Sequence, residues 1–411
     1  MIYVGIDWAD DHHDVAITDD SATTFAQFQI AHDSTGFSML HDKITDFEKA
    51  PSSVLVAIET SRGLLVHELL RLGYVVYSIN PKAVNRYKDR YVLSKAKSDT
   101  IDAMALSHLL RTDRHRFRAL TPLPEDYRLL DRLCADLRKL VDEKTRIVNQ
   151  INSCLKEFYP TALNIFSSVD SNIAIAFLKT FPDHKTLSRC SKKAFLTFFK
   201  KHHYSHPNRV GELWDIAQSQ TPEADSVVTT ANRFRLLTLL DQLTSLREHI
   251  AKYEKEIQAI LDNIPETKHI SSLPGAGKRI VPELVAALGP TANDSQAKFQ
   301  SADEIARLSG CVPVTRQSGK WKTVSVRHAC VKPLRRVFYD WAFSSLKESA
   351  WARAYYDYHK ARNQGHPTIL RNLGRKWAKI LFAVWSKGIT YNENLHIQNL
   401  KVRNVPWAMA L

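Results

Sequence analysis

Single acids set in, or at the end of, otherwise apolar runs constrain this chain more than any other feature. Asp7 interrupts Tyr3-Val4-Gly5-Ile6-Asp7-Trp8, which reads as a buried strand. Glu59 closes Val54-Leu55-Val56-Ala57-Ile58-Glu59, just before Thr60-Ser61-Arg62-Gly63 breaks the pattern and a helical period begins. A carboxylate buried without a cation is costly. Asp99 and Asp102 lie in Lys97-Ser98-Asp99-Thr100-Ile101-Asp102-Ala103-Met104-Ala105-Leu106, and their spacing of three puts both on one helix face. Acids converging from two strands and a helix make a hard-oxygen donor set suited to Mg²⁺ or Mn²⁺. Plainer readings exist: an acid pair at a helix start caps it and complements its dipole. Asp10, Asp11, Asp14, Asp19 and Asp20 crowd the first strand and read as turn or solvated residues.

The order of elements separates these readings. The chain runs strand with Asp, paired strands, helix, strand ending in Glu, helix, strand, and then the helix with the Asp pair. That is the RNase H-like arrangement, and the four acids fall at its catalytic positions. An actin-like or sugar-kinase ATPase also opens on a Gly-Ile-Asp strand, but the Gly-rich phosphate loops it needs are missing, with 13 glycines in 411 residues.

Length predicts two or three domains. No stretch approaches the roughly 18 to 20 apolar residues of a membrane span, and Met1-Ile2-Tyr3-Val4 enters a strand without a basic signal region, so a cytoplasmic, nucleoid-associated protein is expected. Cys134, Cys154, Cys190, Cys311 and Cys330 form no Cys-x-x-Cys pair and read as reduced packing residues. Charge is unevenly placed. Residues 266–411 hold 23 Lys and Arg against 9 Asp and Glu, and Ile305 to Tyr339 contains no acid at all. Such a run repels itself unless a polyanion answers it, and a phosphate backbone is the expected partner. Arg316, Lys320, Lys322, Arg327, Arg335 and Arg336 are the candidate contacts.

Between the ends lies a helical middle. Apolar residues recur at helical spacing over 126–159 and again over 232–263, predicting an antiparallel pair of long helices, a coiled-coil arm, with a small helical insertion over about 160–231. The His202-His203-Tyr204-Ser205-His206 cluster in that insertion reads as solvent- or phosphate-facing. Past Pro265, Leu273-Pro274-Gly275-Ala276-Gly277-Lys278-Arg279 joins two helical patterns. It lacks the spacing of a nucleotide P-loop and reads as a helix-hairpin-helix. There the amides of Gly275 and Gly277, with Lys278 and Arg279, would hold a phosphate without reading bases. Ser318, between Arg316 and Lys320, reads as a loop residue, with no His or Asp at a spacing that would activate its hydroxyl. Aromatics of the tail, Trp341 to Trp385, recur at helical spacing and read as core in preference to base-stacking residues.

With these motifs together, the chain resembles the DEDD-type transposases of bacterial insertion sequences, relatives of the Piv invertase and of bridge-RNA-guided recombinases. Gly5-Ile6-Asp7, Ala57-Ile58-Glu59, Lys97 to Ala103, Leu273 to Gly277, Leu308-Ser309-Gly310-Cys311-Val312-Pro313 and Arg316-Gln317-Ser318-Gly319 carry the resemblance over almost the whole length. It departs at Val326 to Arg336, where the Arg pair is kept and a glycine is not. The resemblance implies an α/β RuvC-like domain (1–120), a coiled-coil arm (121–265) and a mainly α C-terminal transposase domain (266–411) whose serine nucleophile matches Ser318. It further implies a Mg²⁺-dependent DEDD site, donor and target DNA, a structured guide RNA, and a homo-oligomer, dimer to tetramer, whose subunits share active sites. Two other classes stay open at this point: a metal-only RuvC-like junction nuclease, which would not need Ser318, and a non-catalytic nucleic-acid-binding protein, which would tolerate loss of Asp99 and Asp102.

Overall fold

The computed structural model describes residues 1–89, 99–121, 123–219, 224–291, 298–319, 321–409 and 411, and leaves the side chains of Asp99 and Thr100 undescribed. Lys320, a predicted nucleic-acid contact, lies outside the described residues, as do Lys97 and Ser98 of the Asp-pair motif. The chain divides into two compact units, Met1–Pro122 and Leu123–Leu411.

The first unit is built on a five-stranded sheet ordered β3-β2-β1-β4-β5, from β1 (Ile2–Trp8), β2 (His12–Thr18), β3 (Thr24–Ala31), β4 (Val54–Ile58) and β5 (Val75–Ser78). The first three strands pair antiparallel, whereas β4 runs parallel to both β1 and β5. Central β4 is buried at every position, which is why its sequence reads as an unbroken apolar run rather than an alternation. Edge strand β3 is mostly exposed and alternates. Helices α1 (Ser34–Thr45) and α2 (Leu64–Arg71) pack on one face through Leu40, Ile44, Leu65, Val66 and Leu69. α3 (Pro81–Lys88) and α4 (Asp99–Asp113) cover the other, through Val84, Tyr87, Leu106 and Leu110 against Tyr3, Leu55 and Ala57.

Gly5 sets how close α4 comes. A Cβ at Gly5 would stand 2.6 Å from the Ser107 amide nitrogen and nearer still to the Ala103 carbonyl, so only glycine lets this helix lie directly on β1. The far end of α4 is tied to the start of β1: Arg111 donates to the Asp20 carbonyl at 3.2 Å, and the Asp20 carboxylate accepts from the amino terminus and from the Tyr3 hydroxyl. α4 therefore runs antiparallel to β1, and its N-terminus points to the strand end that carries Asp7.

The second unit is mostly helical. α5 (Glu125–Phe158) lies antiparallel to the helix Ser226–Leu261, with Cys154 Sγ 3.4 Å from the Asn232 carbonyl at one end and Leu130 sharing a core with Ile257 and Ile260 at the other. The second helix begins six residues earlier than its apolar period does, because Asp225 caps it by accepting from the Val227 amide at 2.7 Å. Short helices of the intervening segment close one core around Tyr159, Phe177, Phe195 and Phe199. A separate core fills the C-terminal part, where Trp341, Trp351, Trp377 and Trp385 are fully buried. Each of their indole N–H groups donates to a described acceptor, namely Pro274 O, Tyr391 Oη, Ser345 Oγ and Gly289 O, at 2.8 to 3.1 Å. These tryptophans are core, not base-stacking residues. All five cysteines are free. Among the described residues no helix is long and apolar enough to cross a membrane.

Candidate active site

The strand period of two decides where the acids point. Tyr3, Leu55 and Ala57 face α4, as does Gly5, so Asp7 two residues beyond Gly5, and Glu59 two beyond Ala57, fall on that same face at the carboxyl ends of adjacent strands. Both are half-buried. Asp102 enters from the N-terminal part of α4, which starts at Asp99. The electrostatics record the approach: Glu59 is held above the usual carboxylate range, first by burial and then by the negative charge of Asp102, with Lys88 pulling the other way. Lys88, the last residue of α3, forms an ion pair with Asp102 at 2.5 Å, both side chains largely buried. The structure thus places Asp7 and Glu59 on one face at adjacent strand ends, with the charge of Asp102 felt at Glu59; the Asp99 side chain lies outside the described residues.

Sequence reasoning missed three residues here. Lys88 lies fourteen positions before Asp102 and follows no shared period with it. Asp14, read as a turn or solvated residue, is instead a half-buried member of β2 directly opposite Asp7, and paired positions share a face. Asp14 stands between buried His13 and Val15, and that alternation was the available signal. His13 is fully buried opposite Trp8. Burial holds its imidazole down to about 4, so the ring is neutral. Its Nδ1 accepts from the Ala9 amide at 3.3 Å, which leaves Nε2–H to donate to His32 Nδ1 at 2.7 Å. This fixes the chain as it leaves Asp7.

The donor set is chemically suited to a hard divalent cation, since every candidate atom is a carboxylate oxygen. Lys88 already neutralises Asp102, and among the described residues no three His, Cys, Asp or Glu side chains stand close enough to cage an ion. The arrangement is acids gathered at one sheet end, with a lysine in place as counter-ion.

Ser318 stands elsewhere, in the second unit. It ends β6 (Val314–Ser318), which pairs antiparallel with β7 (Trp321–Ser325), so the segment read as a loop is a hairpin turned at Gly319. Loop and hairpin tip share the same turn residues, and Thr315, Thr323 and Val324 supply the strand tendency that the basic residues mask. Ser318, Arg316 and Lys322 are exposed, and among the described residues no acid pairs with either cation.

The remaining basic candidates are differently used. Arg327 donates to the Val312 carbonyl at 3.1 Å, and Arg335 donates back to the Arg327 carbonyl, so the pair braces the base of the hairpin. Arg336 makes a bidentate pair with Asp142 of α5, at 2.6 and 2.5 Å. Arg279 meets Glu254 at 3.2 Å. In the turn between the helices Glu266–Ile270 and Ile280–Leu288, Gly275 is buried with φ of 75°, and a Cβ there would overlap the backbone of Ser344 and Ser345. Its amide donates to the Glu348 carboxylate at 2.7 Å and is thereby spent within the fold. Gly277 and Lys278 are exposed beside it, on the rim of a cleft of about 460 Å³.

Two family models match the chain. One describes a DEDD transposase of the IS110 type and covers residues 4–160; the other describes the transposase IS116/IS110/IS902 family and covers 267–357. The chain is 31% identical to the Streptomyces coelicolor mini-circle protein assigned as transposase for IS117, over 90% of this chain and 91% of the relative. It is 25% identical to the 43.6 kDa protein of insertion element IS110 from the same organism, over 76% of each. With the 42 kDa protein of insertion element IS900 from Mycobacterium paratuberculosis it shares 23% identity over 95% of this chain and 97% of the relative.

Proposed function

The chain belongs to the IS116/IS110/IS902 family of transposases, and from that premise we propose that it is an RNA-guided DNA recombinase using a DEDD metal site and a serine nucleophile. The observation that carries the reading is the placement of Asp7 and Glu59 at the ends of adjacent strands, on the face covered by the helix that bears Asp102. Asp7, Glu59, Asp99 and Asp102 would hold Mg²⁺ or Mn²⁺. When bound, the ion supplies charge neutralisation at the scissile phosphate and its leaving oxygen. Lys88, paired with Asp102, keeps that carboxylate oriented toward the sheet end.

Ser318 does the covalent work in this reading. Its Oγ attacks the DNA phosphorus and loses its proton to solvent, the Oγ–P bond forms, and one backbone P–O bond breaks, its deoxyribose oxygen taking up a proton. The phosphoserine link conserves the phosphodiester's bond energy, so a deoxyribose hydroxyl of a second strand can reverse the step and rejoin DNA. Arg316 and Lys322 on the same hairpin attract the backbone. Donor and target would be selected by base pairing to an element-encoded RNA, the protein reading backbone and shape. The resemblance to guided recombinases supports that guide, and supports an oligomer in which different subunits supply the acids and the serine.

The test is direct. Purified protein should carry a discrete RNA, and ribonuclease treatment should remove recombination while leaving the fold intact. RNA-free protein that recombines DNA unaided would refute the guided reading.

A further inference from the structure

Trp321 is the least expected residue of the hairpin. It is 59% exposed, although an indole is among the most rewarding side chains to bury. It is also the cross-strand partner of Ser318, and the next pair on the same face is Arg316 with Thr323. Side chains directly opposed in this way lie roughly 5 Å apart at Cβ. Among the described residues no ring and no cation lies over the indole, so its face is open. The surroundings select what could cover it. From Ile305 to Tyr339 the sequence has no acid, and exposed Arg316 shares the indole's face of the hairpin, whereas exposed Lys322, next to Trp321 in the strand, takes the opposite face. An apolar protein partner would leave Arg316 unanswered; a nucleotide answers both groups of this face, with its phosphate on the arginine and its base on the ring.

We infer that Trp321 is a stacking platform for an unstacked DNA base next to the phosphate that Ser318 attacks. The assignment to DNA rests on the proposed role of Ser318; the stacking rests on the hairpin geometry alone. Trp321 in this account is a positioning residue. By holding one base it fixes the sugar-phosphate beside the serine hydroxyl, which has no described partner of its own to aim it. Stacking is tolerant of base identity, so the contact would position any sequence the guide selects.

The experiment compares the full-length protein with W321A and W321F, binding oligo(dT), an abasic deoxyribose-phosphate oligomer of equal length, and oligo(rU). The abasic oligomer keeps every phosphate and removes every base. W321A should weaken oligo(dT) binding by about five- to a hundredfold, the size of one stacked base, and leave the abasic oligomer unchanged. W321F should recover most of the loss. Because the indole is exposed, neither variant should alter thermal unfolding. Equal weakening of both deoxy-oligomers, or no change in either, would overturn the platform. A preference for oligo(rU) over oligo(dT) that W321A erases would assign the ring to RNA and overturn the DNA reading. S318A keeps the two ideas apart: an S318A protein that still forms covalent adducts removes the nucleophile, while the base-over-abasic preference reports Trp321 independently.

Discussion

The acids and the serine are presented in opposite ways. Asp7, Glu59 and Asp102 project from the ends of buried strands and from a helix that Gly5 lets sit on the sheet backbone, so their positions are set by the core beneath them. Ser318 sits at the tip of a two-stranded hairpin whose residues are nearly all exposed. A lone hairpin is marginal without a third strand or a helix to pack on. Here Arg327 and Arg335 brace only its base. The contrast teaches that the two proposed chemistries would ask different things of the fold. Acids gathered at one sheet end must be held there by packing; burial first, and then the charge of Asp102, raise the proton affinity of Glu59. A neutral hydroxyl has no such cost, and in the proposed mechanism a projecting element would suffice to carry it.

Substitutions at the chemistry should test the contrast most strongly. Ser318→Ala should reduce covalent protein–DNA adducts by roughly 10³-fold or more while leaving thermal stability unchanged, read on denaturing gels and by calorimetry. Adducts at wild-type yield would return the serine to an ordinary turn position. Glu59→Gln or Asp102→Ala should lower adduct formation by roughly 10² to 10⁴, the equivalent of several kcal/mol of lost charge stabilisation, and should flatten its dependence on added Mg²⁺. A variant that keeps the full Mg²⁺ response would take that acid out of the donor set.

Structural substitutions come next and should divide the units. Gly5→Ala should destabilise the first unit by about 1 to 3 kcal/mol, because the new methyl group meets the α4 backbone, and adduct yield should fall with it. An unchanged melting temperature would mean that α4 is not seated on β1. Arg336→Ala should matter least, at about 0.2 to 1 kcal/mol, since its pair with Asp142 is about half-exposed. A large drop in DNA affinity without loss of stability would instead return Arg336 to the nucleic-acid surface.

How much was legible in the sequence follows the same divide. The sheet and its acids could be read because fully buried strands are continuous apolar runs, against which one Asp or Glu stands out. The long helices were legible from period alone, although the start of the second depends on Asp225, a cap that leaves no mark in apolar spacing. The basic surface was less legible, because charge density does not say where charge is spent. Arg336 and Arg279 meet acids far away in the chain, and the Gly275 amide serves Glu348. Lys88 and Asp14 escaped for a related reason: long-range pairing sets their roles, and neither lies on a period shared with the acids.

The most direct measurement isolates the covalent complex formed with Mg²⁺, digests protein and DNA, and sequences the modified peptide by mass spectrometry. The account predicts a nucleotide phosphate on Ser318, absent when Glu59 is replaced by Gln. Cleaved DNA with protein-free ends, produced equally well by the Ser318→Ala protein, would contradict it.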